Sequence, residues 1–397
     1  MRQVLIIGVG ALVLIGIGVG AYFFFFTSGQ GDLTVTPQGG GSLPEAGTVP
    51  ATPGGDEPPQ PVELSQPAKV ADRLVQITKG PVAAGVVVYT ASSTTKDVAV
   101  GFVARESGNL YRYLVHSGSL TRTSNKTIPG IQEALWRPDG SLAYVRYLSG
   151  DTQGTINTYA LPQEGEGGFF LAQDIASLAV NATNILALAT GQNGSVASVS
   201  RPDGSNAKEV FTTPLAALRV GFLGSSGYLA YTKPSAKLGG YAYAANSTGT
   251  LTRLVGPKNG LVALPSPSGK LLLISYVENN AMRLALYGRA TGELTLLPVG
   301  TIADKCAFTA DERAAYCAIP VSPPSGVAYP DAWYQGAVAF SDRIWKIDVT
   351  GRFAELVLDF AKETSQELDA TSLALDPDST ALVFRNKNDA SLWSYEL

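Results

Sequence analysis

The sequence repeats a hairpin-like unit along most of its length. Residues 241–255 show this unit most clearly, as an apolar run, a turn at Gly249 and a second apolar run. Alternation of aromatic and β-branched residues with small ones is typical of a pleated strand, and glycine supplies the positive φ of a tight hairpin turn. Corresponding turns are predicted at Gly118, Gly165, Gly204, Gly249, Gly292 and Gly351. Most of them are about 40 to 45 residues apart, which is the length of one four-stranded propeller blade.

A second hairpin precedes each of these turns. In residues 131–145, for example, a Pro-Asp-Gly turn at 138–140 joins two apolar strands. This pattern resembles the repeat of TolB-like and WD-repeat-like β-propellers, and the resemblance covers residues 71–397. The Trp-Asp and Gly-His signatures of true WD repeats are absent, so the resemblance indicates a fold and no particular partner.

The period and the resemblance together predict an all-β propeller of seven four-stranded blades, with six and eight blades as alternatives. The last unit begins near residue 367, and the sequence stops at Leu397, where its glycine turn is expected. A blade without its outer strand would expose an unpaired edge. Residues 73–78 form an unassigned strand of suitable length, and closure by strand exchange between the ends is common in the propellers that this chain resembles. We therefore expect an amino-terminal strand to complete the last blade.

The amino-terminal end is predicted to anchor the chain in a membrane. Residues 4–26 are uncharged and almost wholly apolar, and at about 1.5 Å per residue they would span a hydrocarbon core of roughly 30 Å. Arg2, within the short segment 1–3, favours a cytoplasmic amino terminus, which would place the following domain in the periplasm or at the cell surface. The alternative is a cleaved signal peptide, but its apolar core is usually only about 7 to 15 residues long.

A flexible linker is predicted to join this anchor to the propeller domain. Residues 27–70 hold eight prolines and eight glycines with almost no large apolar side chains, so they cannot bury enough surface to fold. The segment also carries a formal charge of −4, which equals that of the whole chain. Residues 71–397 are therefore nearly neutral, and their charge gives no reason to expect a nucleic acid partner.

The two cysteines are predicted to form a structural disulfide. Cys306 and Cys317 flank a turn centred on residues 311–312, so they should face each other across a hairpin outside the cytoplasm. The alternative is a pair of buried free thiols. No metal site is expected, because His116 is the only histidine, and no fingerprint of a cofactor site or of a catalytic triad is present. We therefore expect no cofactor and assign no catalytic residue.

An insertion in the sixth unit is the most unusual local feature. Residues 320–336 are rich in proline and aromatic residues and lengthen the interval between two of the turns to about 59 residues. Long loops on a rigid scaffold often carry binding residues, and we hypothesise that Tyr329, Asp331, Trp333 and Tyr334 form a binding site near the channel mouth. The alternative is that the loop folds down over its blade or the channel, with its aromatic side chains as local core.

The sequence thus favours a single-pass, membrane-anchored propeller that binds or scaffolds a protein or an envelope polymer. One alternative is an envelope hydrolase or lyase with a carboxylate site in the propeller channel, which inward-facing carboxylates would favour. Another is a purely structural role in an envelope assembly. Fold alone does not decide among these functions.

Overall fold

The computed structural model of the protein describes residues 64–91, 97–164 and 167–397. The predicted transmembrane helix at 4–26 and most of the predicted linker at 27–70 lie outside these ranges. Among the described residues, no helix is long and apolar enough to cross a membrane. The membrane anchor therefore stays a prediction.

The described chain forms seven antiparallel sheets, and each is one blade. Six sheets have four strands in sequential order, and the seventh has five. This arrangement confirms the predicted all-β propeller of seven blades.

Each blade runs from an inner strand at the centre of the ring to an outer strand at the rim. In that direction, blade 1 contains β3 (Val87–Thr90), β4 (Val98–Val103), β5 (Leu110–Leu114) and β6 (Leu120–Arg122). Blade 2 contains β7 (Glu133–Trp136), β8 (Leu142–Ser149), β9 (Thr155–Pro162) and β10 (Phe169–Phe170). Blade 3 contains β11 (Ile175–Val180), β12 (Ile185–Gly191), β13 (Gly194–Ser200) and β14 (Lys208–Thr213). Blade 4 contains β15 (Leu218–Leu223), β16 (Gly227–Thr232), β17 (Gly239–Ala245) and β18 (Leu251–Asn259).

The remaining blades carry the helices as well. Blade 5 contains β19 (Val262–Pro265), β20 (Leu271–Glu278), β21 (Ala281–Gly288) and β22 (Glu293–Leu296). Blade 6 contains β23 (Cys306–Phe308), β24 (Ala314–Pro320), β25 (Asp342–Asp348) and β26 (Ala354–Asp359). Blade 7 contains β27 (Ala370–Leu375), β28 (Ala381–Asn386), β29 (Leu392–Glu396), β2 (Leu74–Thr78) and β1 (Ala68–Ala71). A 3-10 helix (Ala303–Lys305) precedes β23, α1 (Asp331–Tyr334) lies between β24 and β25, and α2 (Phe360–Thr364) follows β26.

The amino-terminal strand completes blade 7, as predicted. Strand β2 pairs antiparallel with β29, with Leu74 opposite Tyr395 and Gln76 opposite Trp393. Strand β1 then pairs with β2 as a fifth strand, and the predicted domain boundary at residue 71 falls at its end. Strands from both ends of the domain are thus hydrogen-bonded in one sheet, which closes the ring.

The apolar core lies between neighbouring blades. In one cluster, Val87 and Val103 of blade 1 pack against Ala134 and Trp136 of blade 2. A blade covered on both faces needs apolar residues on both sides of its middle strands, and every residue of β4 and of β24 is buried. Six such clusters of buried residues cover the described blades.

The strand order defines two faces of the propeller. The first strands of neighbouring blades lie side by side around a central channel, for example β11 beside β15 and β23 beside β27. Because successive strands run in opposite directions, the links from second to third strands lie on one face, together with the entries into the first strands. We call this the upper face. The turns from first to second and from third to fourth strands lie on the opposite, lower face.

Most of the predicted glycine turns join third and fourth strands on the lower face. Positive φ angles occur at Gly118, Gly204, Gly249 and Gly292. In blade 6 the prediction was wrong by one residue, because Arg352 (φ 57°) carries the positive φ instead of Gly351. The predicted turn at Gly165 lies outside the described residues.

Candidate functional site

The insertion of blade 6 lies on the upper face and reaches over its neighbours. It links β24 to β25, and its short helix α1 contacts elements on either side. The side chain of Asp331 accepts a hydrogen bond from the backbone N–H of Ala236 in blade 4, at 2.9 Å. The indole Nε1 of Trp333 donates to Oδ2 of Asp369 at the entry to blade 7, also at 2.9 Å. The insertion thus extends from blade 4 to blade 7.

Two of the four predicted binding residues form local core under the insertion. Tyr329 is 3% exposed and Trp333 is 5% exposed. The Trp333 ring stacks on Phe340 with centroids 6.1 Å apart, and the Tyr329 hydroxyl donates to the backbone oxygen of Pro324 at 2.8 Å. This is the arrangement of a loop folded down onto the blades. Burial leaves these two aromatic rings unavailable to a ligand while the insertion keeps this position.

The other two predicted residues, Asp331 and Tyr334, are partly exposed. The hydroxyl of Tyr334 donates to Oδ2 of Asp304 at 2.6 Å, and Arg219 of β15 donates to the same oxygen at 2.7 Å. The Arg219 guanidinium also lies 4.9 Å from the Tyr334 ring centroid. Burial and the nearby Asp304 carboxylate raise the pKa of Tyr334 well above its ordinary value, so its hydroxyl stays protonated as a donor. Binding by these residues stays a prediction.

Beneath the insertion lies a fully buried group of charges, which we call the buried triad: Lys305, Asp342 and Asp369. The Lys305 side chain is 0% exposed, and its Nζ lies 2.8 Å from Oδ2 of Asp342 and also contacts Oδ1 of Asp369. The same ammonium lies 5.0 Å from the ring centroids of both Trp333 and Phe340. A buried lysine is tolerated only with such partners, because removing a charge from water is costly.

Backbone and side-chain donors complete the triad. Asp369 Oδ2 accepts from the backbone N–H of Phe340 at 3.0 Å, in addition to the Trp333 indole. Asp342 Oδ2 accepts from the backbone N–H of Ala370 at 2.7 Å. Burial is the largest influence on the Asp342 carboxyl and raises its pKa to about 6, although Lys305 acts in the opposite direction. The triad therefore joins blade 6, blade 7 and the insertion in one network.

The sequence reasoning missed this triad, although a signal for it exists. Lys305 and Asp369 each directly precede a first strand, β23 and β27 respectively. Aligning the repeats on the residue before each first strand would have placed both at the upper channel mouth. Asp342, in contrast, follows the irregular insertion, so no repeat position identifies it.

A row of three cations, which we call the upper-face cations, lies where blade 7 meets blade 1: Lys387, Arg385 and Arg105. Arg385 lies near the end of β28, and Lys387 directly follows the last residue of that strand. The two are close enough that, besides burial, the charge of Arg385 helps to lower the pKa of Lys387. Arg385 Nε donates to the backbone oxygen of Val82 at 2.8 Å, and the backbone N–H of Arg105 donates to that of Pro81 at 2.9 Å. Both arginines thus contact the segment leading into β3.

These cations make no close ion pair within the described part of the chain. Among the described residues, none of the three has an acidic partner within 4 Å. Burial, and then the charge of Arg105, lower the pKa of Arg385, and the Asp389 carboxylate opposes this shift. The pKa of Lys387 is also lowered, chiefly by burial, with Asp369 opposing the shift. Partly buried cations that make no close ion pair attract anions.

The channel wall itself carries little charge. Within the seven first strands, Glu133 is the one carboxylate and Arg219 the one cation. Glu133 is paired with Arg146 of the adjacent strand, with 2.8 Å between Oε2 and the guanidinium nitrogen. These described strands therefore contain no pair of carboxylates for acid–base chemistry. The nearby carboxylates Asp342 and Asp369 are enclosed with Lys305.

The cysteines and the histidine lie where the sequence places them on hairpins. Cys306 and Cys317 are directly opposed in β23 and β24 and form the predicted disulfide, with Cα atoms 4.1 Å apart. His116 sits at the lower-face turn after β5, with Nδ1 2.9 Å from Oδ1 of Asp97. Among the described residues, no group of three or more His, Cys, Asp or Glu side chains is placed to hold a metal ion.

Comparison with solved structures identifies similar folds at low sequence identity. An oligogalacturonate lyase in complex with manganese aligns with a TM-score of 0.56 and 10% identity, over 84% of this chain and 96% of the lyase. The oligogalacturonate lyase of Vibrio parahaemolyticus gives 0.56 and 6%, over 81% and 93%. Hydrazine synthase of Kuenenia stuttgartiensis gives 0.51 and 11%, over 81% and 97%.

Sequence comparison adds no family assignment. No family model matches the chain, and neither does any curated protein sequence. The resemblance to TolB-like and WD-repeat-like proteins is therefore confirmed only in its general part, the propeller fold. The sheet topology and the structural likeness together identify the described domain as a seven-bladed β-propeller.

Proposed function

We propose that this chain is a membrane-anchored, extracytoplasmic propeller that binds an acidic envelope polymer on its upper face. The observation that carries this proposal is the row of upper-face cations, Lys387, Arg385 and Arg105, which have no acidic partner within 4 Å among the described residues. A polymer with regularly spaced carboxylates would supply one anion to each cation. Arginine in particular can bind a carboxylate with two parallel hydrogen bonds.

The insertion supports this proposal by making the surface beside the cations rigid. Lys387 Nζ donates to the backbone oxygen of Val338 at 3.3 Å and lies 5.2 Å from the Trp333 ring centroid. These contacts with the insertion therefore fix the position of Lys387. Preorganised side chains lose less conformational freedom on binding than free ones.

The solved structures of similar fold suggest which acidic polymer to test first. Two of them are named as oligogalacturonate lyases, and galacturonate carries one carboxylate per sugar unit. Their low identity transfers no residue roles to this chain. A polygalacturonate chain is nevertheless a reasonable first probe, because its charge spacing is repetitive and its sugar rings are rigid.

A lyase that cleaves such a polymer is the second candidate function. In a β-elimination, a base removes the proton from the carbon next to the carboxylate, the adjacent C–O bond to the leaving sugar breaks, and a C=C double bond forms. The leaving oxygen then takes up a proton. Lys387 would act as the base, since burial lowers its pKa and increases the neutral amine fraction, and Arg385 would neutralise the carboxylate. This version replaces the channel carboxylate site, which was the alternative drawn from the sequence, with a cationic site.

Binding of polygalacturonate to the full-length protein tests the main proposal. We expect saturable binding by biolayer interferometry that weakens with added salt and is absent for neutral dextran. Changing both Lys387→Gln and Arg105→Gln should weaken binding at least about tenfold, or about 1.4 kcal/mol. A matched control variant changes Lys346→Gln and Arg253→Gln, two exposed cations elsewhere. Equal losses in the two double variants would contradict the proposal.

The same preparation distinguishes binding from cleavage. A lyase would produce a conjugated double bond whose ultraviolet absorbance rises with time, and Lys387→Met should abolish that rise. Binding without any absorbance change would support the binding module alone.

A further inference from the structure

A second charged feature lies on the lower face, between blades 5 and 6. It is a cavity of about 680 Å³ formed by the turn after β19, the turn after β21 and the turn after β25. Lys270, Arg289 and Arg352 line it, with Glu293 as the one acidic lining residue. None of the three cations has an acidic partner within 4 Å among the described residues. We call this cavity the lower groove.

Arg352 occupies a backbone position that glycine holds in two other blades. In blades 1 and 5, the N–H groups of Gly118 and Gly292 each donate to the carbonyl four residues earlier, and both glycines have positive φ. In blade 6, the N–H of Arg352 makes the same bond to Asp348 at 2.9 Å, and its φ is 57°. Arg352 is thus the structural equivalent of those glycines.

This replacement has a cost and no visible structural gain. The left-handed conformation is unfavourable for residues with a Cβ atom, which is why glycine is preferred there. A Cβ atom built on Gly118 or on Gly292 would meet no atom within 4 Å, so the position itself is open. Other described non-glycine residues also have a positive φ, so this conformation does not by itself indicate function. What distinguishes Arg352 is that it lines the lower groove with a guanidinium.

The other two cations approach from blade 5. Arg289 follows β21, and its guanidinium donates to the backbone oxygen of Gly269 at 2.9 Å, which fixes it across the groove. Lys270 is the next residue in that same turn and is exposed. Cations from two blades therefore converge on a space large enough for a small ligand.

We propose that the lower groove binds an oxyanion, the carboxylate or phosphate group of a small ligand, through Lys270, Arg289 and Arg352. The two guanidinium groups offer planar forks of N–H donors that match such oxygens, and the ammonium of Lys270 adds a point charge. This site is separate from the upper-face cations, and it does not depend on the function proposed for them.

The test measures binding of inorganic phosphate and of monomeric galacturonate to the full-length protein at low ionic strength, by calorimetric titration. We expect at least one anion to bind saturably, and the stronger of the two identifies the oxyanion class. Arg352→Gly should weaken that binding at least fivefold, while the melting temperature stays unchanged or rises because glycine suits the turn. Lys270→Gln should also weaken binding, without altering any backbone preference.

The matched control is Arg253→Gln, which removes an exposed arginine outside the lower groove and should leave affinity unchanged. The proposal is overturned if neither anion binds, or if Arg352→Gly and Lys270→Gln bind as tightly as Arg253→Gln. A fall in melting temperature for Arg352→Gly would equally overturn the argument that this arginine is retained for its side chain. Changes at Lys387 and Arg105 serve as a separate comparison, since they should not affect this site.

Discussion

The upper face contains two groups of cations that differ in whether carboxylates pair with them. Lys305, in the buried triad, is enclosed by two carboxylates and two aromatic rings. The upper-face cations lie close by, and Lys387 lies over the same Trp333 ring, yet none of them has an acidic partner within 4 Å among the described residues. The difference indicates that Lys305 stabilises the fold, whereas the unmatched charges remain available to a ligand.

The largest expected effect comes from breaking the buried triad. Lys305→Met keeps a similar side-chain length but leaves Asp342 and Asp369 buried without their cation. Removing one partner of a buried ion pair typically costs about 3–5 kcal/mol. We expect a loss of this size in the free energy of unfolding, measured by urea denaturation of the full-length protein.

The control for this variant is Lys346→Met, which removes an exposed lysine from the same blade. Surface changes of this kind usually alter stability by no more than about 0.5 kcal/mol. If Lys305→Met were as stable as the control, the triad would not hold the insertion to blades 6 and 7.

A smaller effect should appear in the pH dependence of stability. The pKa of Asp342 rises from 3.8 to about 6 on folding, so the folded state holds the proton more tightly than the unfolded state. Stability from this group is therefore present below about pH 4 and is lost as the pH rises through about 6. Over that window the wild-type protein should lose roughly 1–3 kcal/mol through this residue.

Asp342→Asn isolates this contribution, because asparagine keeps an oxygen for Lys305 and Ala370 but does not titrate. The wild type loses this stability as the pH rises and the variant does not. The free energy of unfolding of the variant minus that of the wild type should therefore increase by roughly 1–3 kcal/mol from pH 4 to pH 7. Denaturation curves at four or five pH values measure the difference. A constant difference across this range would show that folding does not raise the pKa of Asp342.

The sequence could predict features that follow from the repeat, but not contacts between side chains that are distant in sequence. The turn period and the family resemblance together predicted seven blades and closure by an amino-terminal strand, and the spacing of one hairpin predicted the disulfide between Cys306 and Cys317. The buried triad depends on side chains 37 and 64 residues apart in sequence, and no spacing rule brings them together. The insertion had two open interpretations for the same reason: whether Trp333 is exposed depends on Asp369, which belongs to another blade.

The sequence of a turn also did not always predict its backbone conformation. Thr350 and Gly351 match the other turns in sequence, but the backbone shifts the positive φ to Arg352. A residue that contradicts local preference is visible only once the turn is aligned by its hydrogen bonds. Similarly, the apolar pattern of residues 353–362 does not reveal that the chain leaves β26 at Asp359 and forms α2.

The smallest expected effect on stability concerns Arg105, and it tests the other half of the comparison. The charge of Arg105 lowers the pKa of Arg385, so these two cations repel each other in the free protein. Arg105→Gln removes that repulsion, along with a hydrogen bond of 2.9 Å from its guanidinium to Gln132. We expect these opposing changes to leave the free energy of unfolding within about 0.5 kcal/mol of the wild type.

Added salt should stabilise the wild type slightly more than the variant, since only the wild type has this repulsion to screen. Thermal denaturation at low and high salt measures both quantities, with Arg313→Gln as an exposed control. A loss above about 2 kcal/mol would place Arg105 with Lys305 among the structural charges, and the upper-face cations would no longer be a set reserved for a ligand.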